Sequence, residues 1–216
     1  MTERLSEVFE TVHPSDLSPD VVTLWKEAAN GWQPPTDISE AEYQRMKSDP
    51  EPSAYRGFIG FGCSYGGKWF GGYARGGYNA DGTPRNHQAE SSRAVARVGA
   101  AIAKATGNGT RVQKRGYEAT PLVPGTAIYC DPPYRSTEGY KAVDEFDSDA
   151  FWEWVRKATR EGVDVFVSEY SAPEDFEMVW QRGKLKTLAT TDQGRGVAVE
   201  GLWVYAGDTN EREGTK

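Results

Sequence analysis

The first helical pattern in the chain follows Ser18-Pro19, where Val22, Trp25 and Ala29 recur at the spacing of one helix face. A serine before the first turn and a proline inside it are typical of a helix start. Glycine is common just after the last helical residue, so Gly31 marks the end of the pattern. These residues predict a short helix that begins at Pro19.

Two further helices are predicted in the first half of the chain. Ser39, followed by Glu42 three residues later, forms a capping-box signature that opens a second short helix. From Ser91 to Lys104, small apolar residues lie between widely spaced basic ones, which favours a longer helix that glycines end.

The second half of the chain predicts a strand, a helix and another strand. Thr126–Cys130 is an apolar run of strand-forming residues, and an amphipathic helix follows that Asp147 or Ser148 can cap. Val163–Tyr170 reads as a second buried strand, and Val197–Tyr205 as a last, antiparallel one. A strand, a helix and a strand at this spacing predict an α/β sheet.

Between Gly57 and Gly82 the chain has ten of its 24 glycines, interleaved with aromatic residues. We interpret this stretch as neither a helix nor an ordinary strand. Glycine allows unusual backbone angles and close approach of another molecule, while the rings offer stacking faces. The alternative is an aromatic loop that packs on its own domain.

Composition indicates a soluble cytoplasmic protein of one compact domain. At 216 residues with 38% hydrophobic residues, the chain is long enough for a sizeable core. Two cysteines, Cys63 and Cys130, suit a reducing compartment and predict neither a disulfide scaffold nor a metal site. No apolar run has the length of a signal peptide or a membrane span.

The distribution of charge is more informative than the net charge of -7, which argues against coating nucleic acid by bulk charge. Between Arg85 and Arg115 there are seven Lys or Arg residues and one acid, Glu90. This stretch could contact phosphates, or it could be an ordinary solvated helix face.

Candidate chemistry lies at Asp131-Pro132-Pro133-Tyr134, directly after the predicted buried strand. In open α/β sheets, ligands bind at the carboxyl ends of strands. An aromatic amine is a poor nucleophile, so an enzyme that alkylates it must accept hydrogen bonds from its protons. The Asp131 carboxylate and the Pro132 carbonyl can do so, the prolines keep them rigid, and Tyr134 offers a ring on which a base can stack.

These residues resemble motif IV of the amino-methyltransferases, and their surroundings resemble the Dam-type DNA adenine-N6 methyltransferases, particularly phage-encoded ones. The resemblance covers most of the chain, including the glycine-aromatic segment. It implies a Rossmann-like sheet, mostly parallel with an antiparallel C-terminal strand, in a single domain of residues 1–216. Residues 55–110 would form an inserted lobe facing DNA.

The resemblance also implies ligands and residue roles. S-Adenosylmethionine would be the cofactor, bound by Asp16 and Asp131, and double-stranded DNA the substrate, with the target adenine flipped into the Asp131 pocket. From sequence alone, Asp16 could equally cap the helix that begins at Pro19. The family's DNA-facing region and the basic helix together give six candidate DNA contacts: Lys68, Arg75, Tyr78, Asn79, Arg93 and Arg97.

The sequence departs from the family pattern in two places. No lysine-containing cofactor motif and no Phe-x-Gly-x-Gly loop precede Asp16. A second polypeptide could supply this half, the gene could be truncated and inactive, or the segment could be rebuilt. In addition, Arg115-Gly116-Tyr117 stands where related proteins tend to have Asp-Tyr, which weakens the expected contact with the cofactor adenine.

Three functions therefore stay open at the level of sequence. The first is adenine-N6 methylation of DNA in the cytoplasm, which would be the host's if the gene is phage-encoded. The second is a non-catalytic or split DNA-binding subunit that lacks a complete cofactor site. The third is methylation of RNA or of a small amine.

Overall fold

A computed structural model of the chain describes residues 11–106, 112–133, 146–184 and 198–207. The chain divides into two compact units, residues 1–116 and 117–216. The first is mostly helical and the second is built on a four-stranded sheet. The prediction of a single domain stays a prediction.

The helices of the first unit begin where local capping signals predict. They are α1 (Pro19–Ala29), α2 (Glu40–Ser48), α3 (Ala54–Gly57) and α4 (His87–Thr106). Ser18 and Ser39 accept hydrogen bonds from the backbone of α1 and α2, at 3.4 Å and 3.1 Å, which confirms both predicted caps. Asn86 caps α4 by accepting from Ala89 N at 2.8 Å, so this helix begins four residues earlier than predicted.

The glycine-aromatic segment is more helical at its start than predicted. α3 continues into a π-helical turn at Phe58–Gly62, and a 3-10 turn follows at Tyr65–Gly67. The interpretation of the whole stretch as non-helical is therefore wrong for its first residues. Their side chains explain the difference, because Phe58 and Ile59 are fully buried in the core of this unit.

Two short parallel strands complete the first unit. β1 (Ser15–Asp16) pairs with β2 (Gln113–Lys114), with Asp16 opposite Lys114. Asp16, a candidate cofactor ligand, is therefore the last residue of a short strand, and β2 is a partner that the hydrophobic pattern did not predict.

The second unit contains β3 (Ala127–Cys130), α5 (Ser148–Arg160), β4 (Asp164–Glu169), β5 (Phe176–Lys184) and β6 (Ala198–Tyr205). The strand order is β3-β4-β6-β5, with β3 parallel to β4 and β6 antiparallel to both of its neighbours. The predicted strand, helix and strand are confirmed as β3, α5 and β4, and the predicted antiparallel last strand is confirmed as β6. The coarse prediction of an α/β fold is confirmed with them.

The core of the second unit forms between α5 and one face of its sheet. Phe151, Trp152 and Val155 of the helix pack in one cluster with Val165 and Val167 of β4. Asp147 caps α5 by accepting from Asp149 N and Ala150 N, at 3.0 Å and 2.9 Å. Within the described ranges, no helix is both long and apolar enough to cross a bilayer.

Candidate active site and nucleic-acid interface

Asp131-Pro132-Pro133 directly follows β3, as the sequence predicts. The last ladder pair of β3 and β4 is Cys130 opposite Val167. Because the two strands are parallel, Asp131 leaves β3 at the sheet edge where Ser168 and Glu169 end β4. Asp131 is exposed and the two prolines are half-buried, whereas Tyr134 lies outside the described residues.

The side chains just before Asp131 are uncharged at neutral pH. Burial raises the pKa of the Cys130 thiol to about 12, and the negative charge of Asp131 adds to this effect. Burial also raises the pKa of the Tyr129 phenol, against an opposing hydrogen bond with Ser168 and with a further contribution from Asp131. The thiolate form of Cys130 is therefore disfavoured.

Polar groups at the end of β4 are buried and firmly bonded. Ser168, 5% exposed, donates its hydroxyl to the Glu200 carboxylate at 2.9 Å. The carboxylate of Glu169 accepts from Tyr170 N at 2.7 Å, and its carbonyl accepts from the Trp203 indole at 2.9 Å. The bonds to Glu200 and Trp203 tie β4 to β6 at the sheet edge beside Asp131.

A cleft of about 630 Å³ lies between the first turns of α5 and the loop after β4, within the size range of ligand pockets. Arg156 in its wall donates to both oxygens of Asp175, at 2.5 Å and 2.8 Å, and holds the pKa of that carboxyl below its usual range. Sequence reasoning missed this cleft, and Asp131 does not line it. The lining residues are Asp147, Asp149, Ala150, Trp152, Glu153, Arg156, Ser171, Ala172 and Pro173.

Asp16 and Arg115 lie side by side at the carboxyl ends of β1 and β2, where Arg115 N donates to the Asp16 carbonyl at 3.1 Å. The Asp16 carboxylate accepts from Ser18 N at 2.7 Å, while Ser18 itself caps α1. Desolvation raises the pKa of the Asp16 carboxyl, and hydrogen bonds from Ser18 and Leu17 oppose this. The buried Nε of Arg115 has no hydrogen-bond partner in the described part of the chain.

The candidate DNA contacts of the glycine-aromatic segment differ in how they are held. Lys68 is exposed, and Tyr78 is 78% exposed. Arg75 binds both carboxylate oxygens of Glu40, at 3.2 Å and 2.5 Å. Asn79 donates its amide to the Thr83 hydroxyl at 2.9 Å, within its own turn. Lys68 and Tyr78 are thus presented to solvent, whereas Arg75 and Asn79 have partners within the unit.

The basic residues of α4 form an exposed stripe on the side of the helix away from its buried residues. Arg93 and Arg97, one turn apart, are exposed, and Lys104 continues the stripe. The opposite side is anchored, because Ser91 donates to the Gly62 carbonyl and Ser92 to the Pro34 carbonyl. The fold therefore brings the glycine-aromatic segment and the basic helix together in one unit.

No protein-family model matches the chain, and no curated protein matches it either.

Proposed function

We propose that the chain methylates the N6 amino group of adenine in double-stranded DNA, using S-adenosylmethionine as the methyl donor. The observation that carries the proposal is the position of Asp131-Pro132-Pro133, immediately after a parallel strand at the carboxyl edge of its sheet. This is the edge at which open α/β sheets hold their ligands. The family resemblance of the same residues supports the assignment.

The residues after β3 have the chemistry that the reaction needs. Asp131 accepts one hydrogen bond from the N6 amino group, and the Pro132 carbonyl accepts the other. As the nitrogen lone pair forms the new bond to the methyl carbon, the bond from that carbon to the donor's sulfur breaks, its electron pair stays on sulfur, and one amino proton is released to solvent. The charge that develops on nitrogen is stabilised by the two fixed acceptors. Neither proline has an N–H that could compete for these acceptors. Tyr134 would stack on the base, as the resemblance implies.

The residues of the first unit fit part of the cofactor. Bound S-adenosylmethionine would supply a methyl group activated by a positively charged sulfur. The Asp16 carboxylate, which already accepts from Ser18 N, can also accept hydrogen bonds from ribose hydroxyls. The orphaned Nε–H of Arg115 can donate to a ligand but cannot accept from an adenine amino group. The fit is thus good for the ribose and poor for the adenine.

The strand order supports the finer fold that the resemblance implies. In the second unit, the antiparallel β6 lies between β4 and β5. A Rossmann-like methyltransferase sheet with an antiparallel last strand has this feature. A second polypeptide that contributes a glycine-rich cofactor loop belongs to the same proposal.

The proposal predicts that the basic stripe on α4 contacts DNA phosphates. Replacing both Arg93 and Arg97 with alanine should reduce the slope of log affinity against log salt concentration by about two, since each lost phosphate contact removes about 0.9. The matched control is Lys157→Ala, an exposed helical cation in the second unit. If the salt slope of the double variant were unchanged, the basic stripe would be an ordinary solvated helix face that does not contact DNA.

The proposed methyltransferase activity is tested by measuring the transfer of labelled methyl groups from S-adenosylmethionine to a DNA duplex. Digestion of the product to nucleosides and mass spectrometry should identify N6-methyladenine. Single-stranded RNA of the same sequence, added as a competitor, should reduce the yield little. The absence of transfer to DNA, both by the purified chain and by the chain co-expressed with its neighbouring open reading frames, would remove the proposal.

A non-catalytic DNA-binding subunit is the second candidate, and the Arg115 side chain favours it. A basic residue stands at the strand end where the resemblance implies an acid for the cofactor adenine. This candidate predicts DNA binding that weakens steeply with salt, together with no heat of binding for S-adenosylmethionine in calorimetry. Calorimetric binding of the cofactor would exclude it.

A further inference from the structure

The most exposed aromatic side chains of the described residues include Tyr65, which the proposed site does not use. Tyr65 is 78% exposed and directly follows the first residue of the loop Ser64–Tyr73, which we name the tyrosine loop. A 3-10 turn at Tyr65–Gly67 brings Lys68 back next to it, with Lys68 N facing the Tyr65 carbonyl at 3.5 Å. An exposed tyrosine and an exposed lysine thus lie three positions apart in one turn.

The base of the tyrosine loop is held rigidly. Tyr65 N donates to the Gly72 carbonyl at 2.8 Å, and Ser64 and Tyr73 form an antiparallel bridge. The fully buried Tyr43 lies beneath the loop, where its hydroxyl is 2.8 Å from the Ser64 hydroxyl and accepts from Gly72 N at 3.1 Å. A ring on such a base binds a partner with little loss of conformational entropy.

The backbone of the loop is strained in a way that local packing enforces. Phe70 has a φ of 43°, which is unusual for a residue other than glycine, and it is buried with only 7% exposed. Its N–H donates to the Gly60 carbonyl at 2.9 Å, inside the π-helical turn. Gly60 has no room for a side chain, because a Cβ there would lie 2.2 Å from the Trp69 ring. Such strain and π-helical turns cluster at functional sites.

The two glycines that follow Tyr65 leave room for a flat molecule to approach the loop backbone closely. Gly66 and Gly67 both have left-handed backbone angles, and a Cβ at either would meet nothing within 4 Å. The stretch from Pro52 to Ala80 contains no Asp or Glu, although the chain has 32 acidic residues among 216. Within the described residues Lys68 forms no ion pair. Lys68 is therefore the one charged residue within the tyrosine loop itself, and its positive charge favours an anionic partner.

We infer that the tyrosine loop is a DNA contact in which the Tyr65 ring stacks on an exposed base face and Lys68 binds the adjacent phosphate. The inference rests on DNA being the substrate in the proposed function, and it adds a contact outside the Asp131 site. A duplex from which one base has been extruded exposes the faces of the neighbouring bases. An aromatic ring that stacks on such a face gains free energy whatever the base, because every base has a π-face.

The test measures binding of the full chain to a DNA duplex with one abasic site, to the same duplex fully paired, and to its single strand. Tyr65→Ala should weaken binding to the abasic duplex by about 5- to 150-fold, the range for one lost base stack. Tyr65→Phe, which keeps the ring, should bind within about twofold of the unaltered chain. The matched control is Trp180→Ala, an exposed aromatic residue in the second unit.

Salt dependence separates the two parts of the contact. Tyr65→Ala should leave the salt slope unchanged because stacking releases no counterions, whereas Lys68→Gln should reduce the slope by about one. The inference would be overturned if Tyr65→Ala bound the abasic duplex as tightly as the unaltered chain does. It would also be overturned if Tyr65→Phe lost as much affinity as Tyr65→Ala, or if the unaltered chain bound no DNA.

The outcomes also distinguish this inference from the proposed function. Ring-dependent binding without methyl transfer would retain the tyrosine loop as a DNA contact and reject the enzyme. Conversely, the Tyr65→Ala chain could transfer methyl groups and bind the abasic duplex with unaltered affinity. That result would support the proposed methyltransferase and reject the tyrosine loop as a DNA contact.

Discussion

Replacement of Asp131 with alanine is expected to lower the rate of methyl transfer at least about 100-fold, the effect of removing one fixed hydrogen-bonding group at a reacting centre. The variant keeps the Pro132 carbonyl but leaves one proton of the N6 amino group without an acceptor. Charge that develops on this nitrogen is then less stabilised in the transition state than in the unaltered chain. Single-turnover transfer from labelled S-adenosylmethionine measures the loss.

Two further variants make the Asp131 result specific. Asp131→Asn keeps an acceptor oxygen but loses the negative charge, so it should retain more activity than alanine and less than the unaltered chain. Asp164→Ala removes an exposed acid at the amino end of β4, opposite Ala127, and should transfer methyl groups at the normal rate. DNA affinity should change less than twofold in all three variants. Equal rates for Asp131→Ala and Asp164→Ala would reject Asp131 as the acceptor.

Replacement of Asp20 with alanine is expected to destabilise the first unit by about 3 kcal/mol, because it leaves a buried charge without its partner. Asp20 is 3% exposed, and its carboxylate binds Arg56 Nη1 at 2.5 Å and Ser53 N at 2.9 Å. Arg56 also lies over the Trp69 ring, 4.9 Å from its centroid. The ion pair thus joins α1 and α3 to the aromatic core, and Asp20→Ala loses contacts at each of these points.

Hydrogen exchange of α1 and α3 amides in increasing urea measures this loss within the first unit. The control is Glu40→Ala, which removes the partner of Arg75 from an ion pair whose side chains are 44% and 74% exposed. An exposed pair contributes about 0–1 kcal/mol, so this variant should lose much less stability. Equal losses in the two variants would contradict a special role for the buried pair.

Elements with strong local signals were predicted from the sequence alone. The serine caps of α1 and α2 were predicted because a hydroxyl side chain and the first backbone N–H groups are only three residues apart. β3 and β4 were predicted because their apolar runs are flanked by glycine and proline. Asp131 could be placed at a strand end for the same reason.

Elements whose partners are distant in sequence were missed. β5 was not predicted as a strand, because a register shift between Met178 and Trp180 interrupts its alternation and its pairing partner is β6. β2 is only two residues long and both are exposed, so no periodicity signals it. The capping box at Ser39 was half right, since the Glu42 carboxylate binds Arg45 at 2.9 Å and 2.7 Å.

By itself, the sequence determined those helices and strands that have strong local signals, and that Asp131-Pro132-Pro133 ends a strand, since both depend on neighbours within a few positions. Only the tertiary structure decided that Asp16 lies beside Arg115, that Asp20 is buried against Arg56, and that Tyr65 is exposed above a rigid base. Pairing, burial and exposure depend on how distant segments pack, and the spacing of residues along the chain does not specify that.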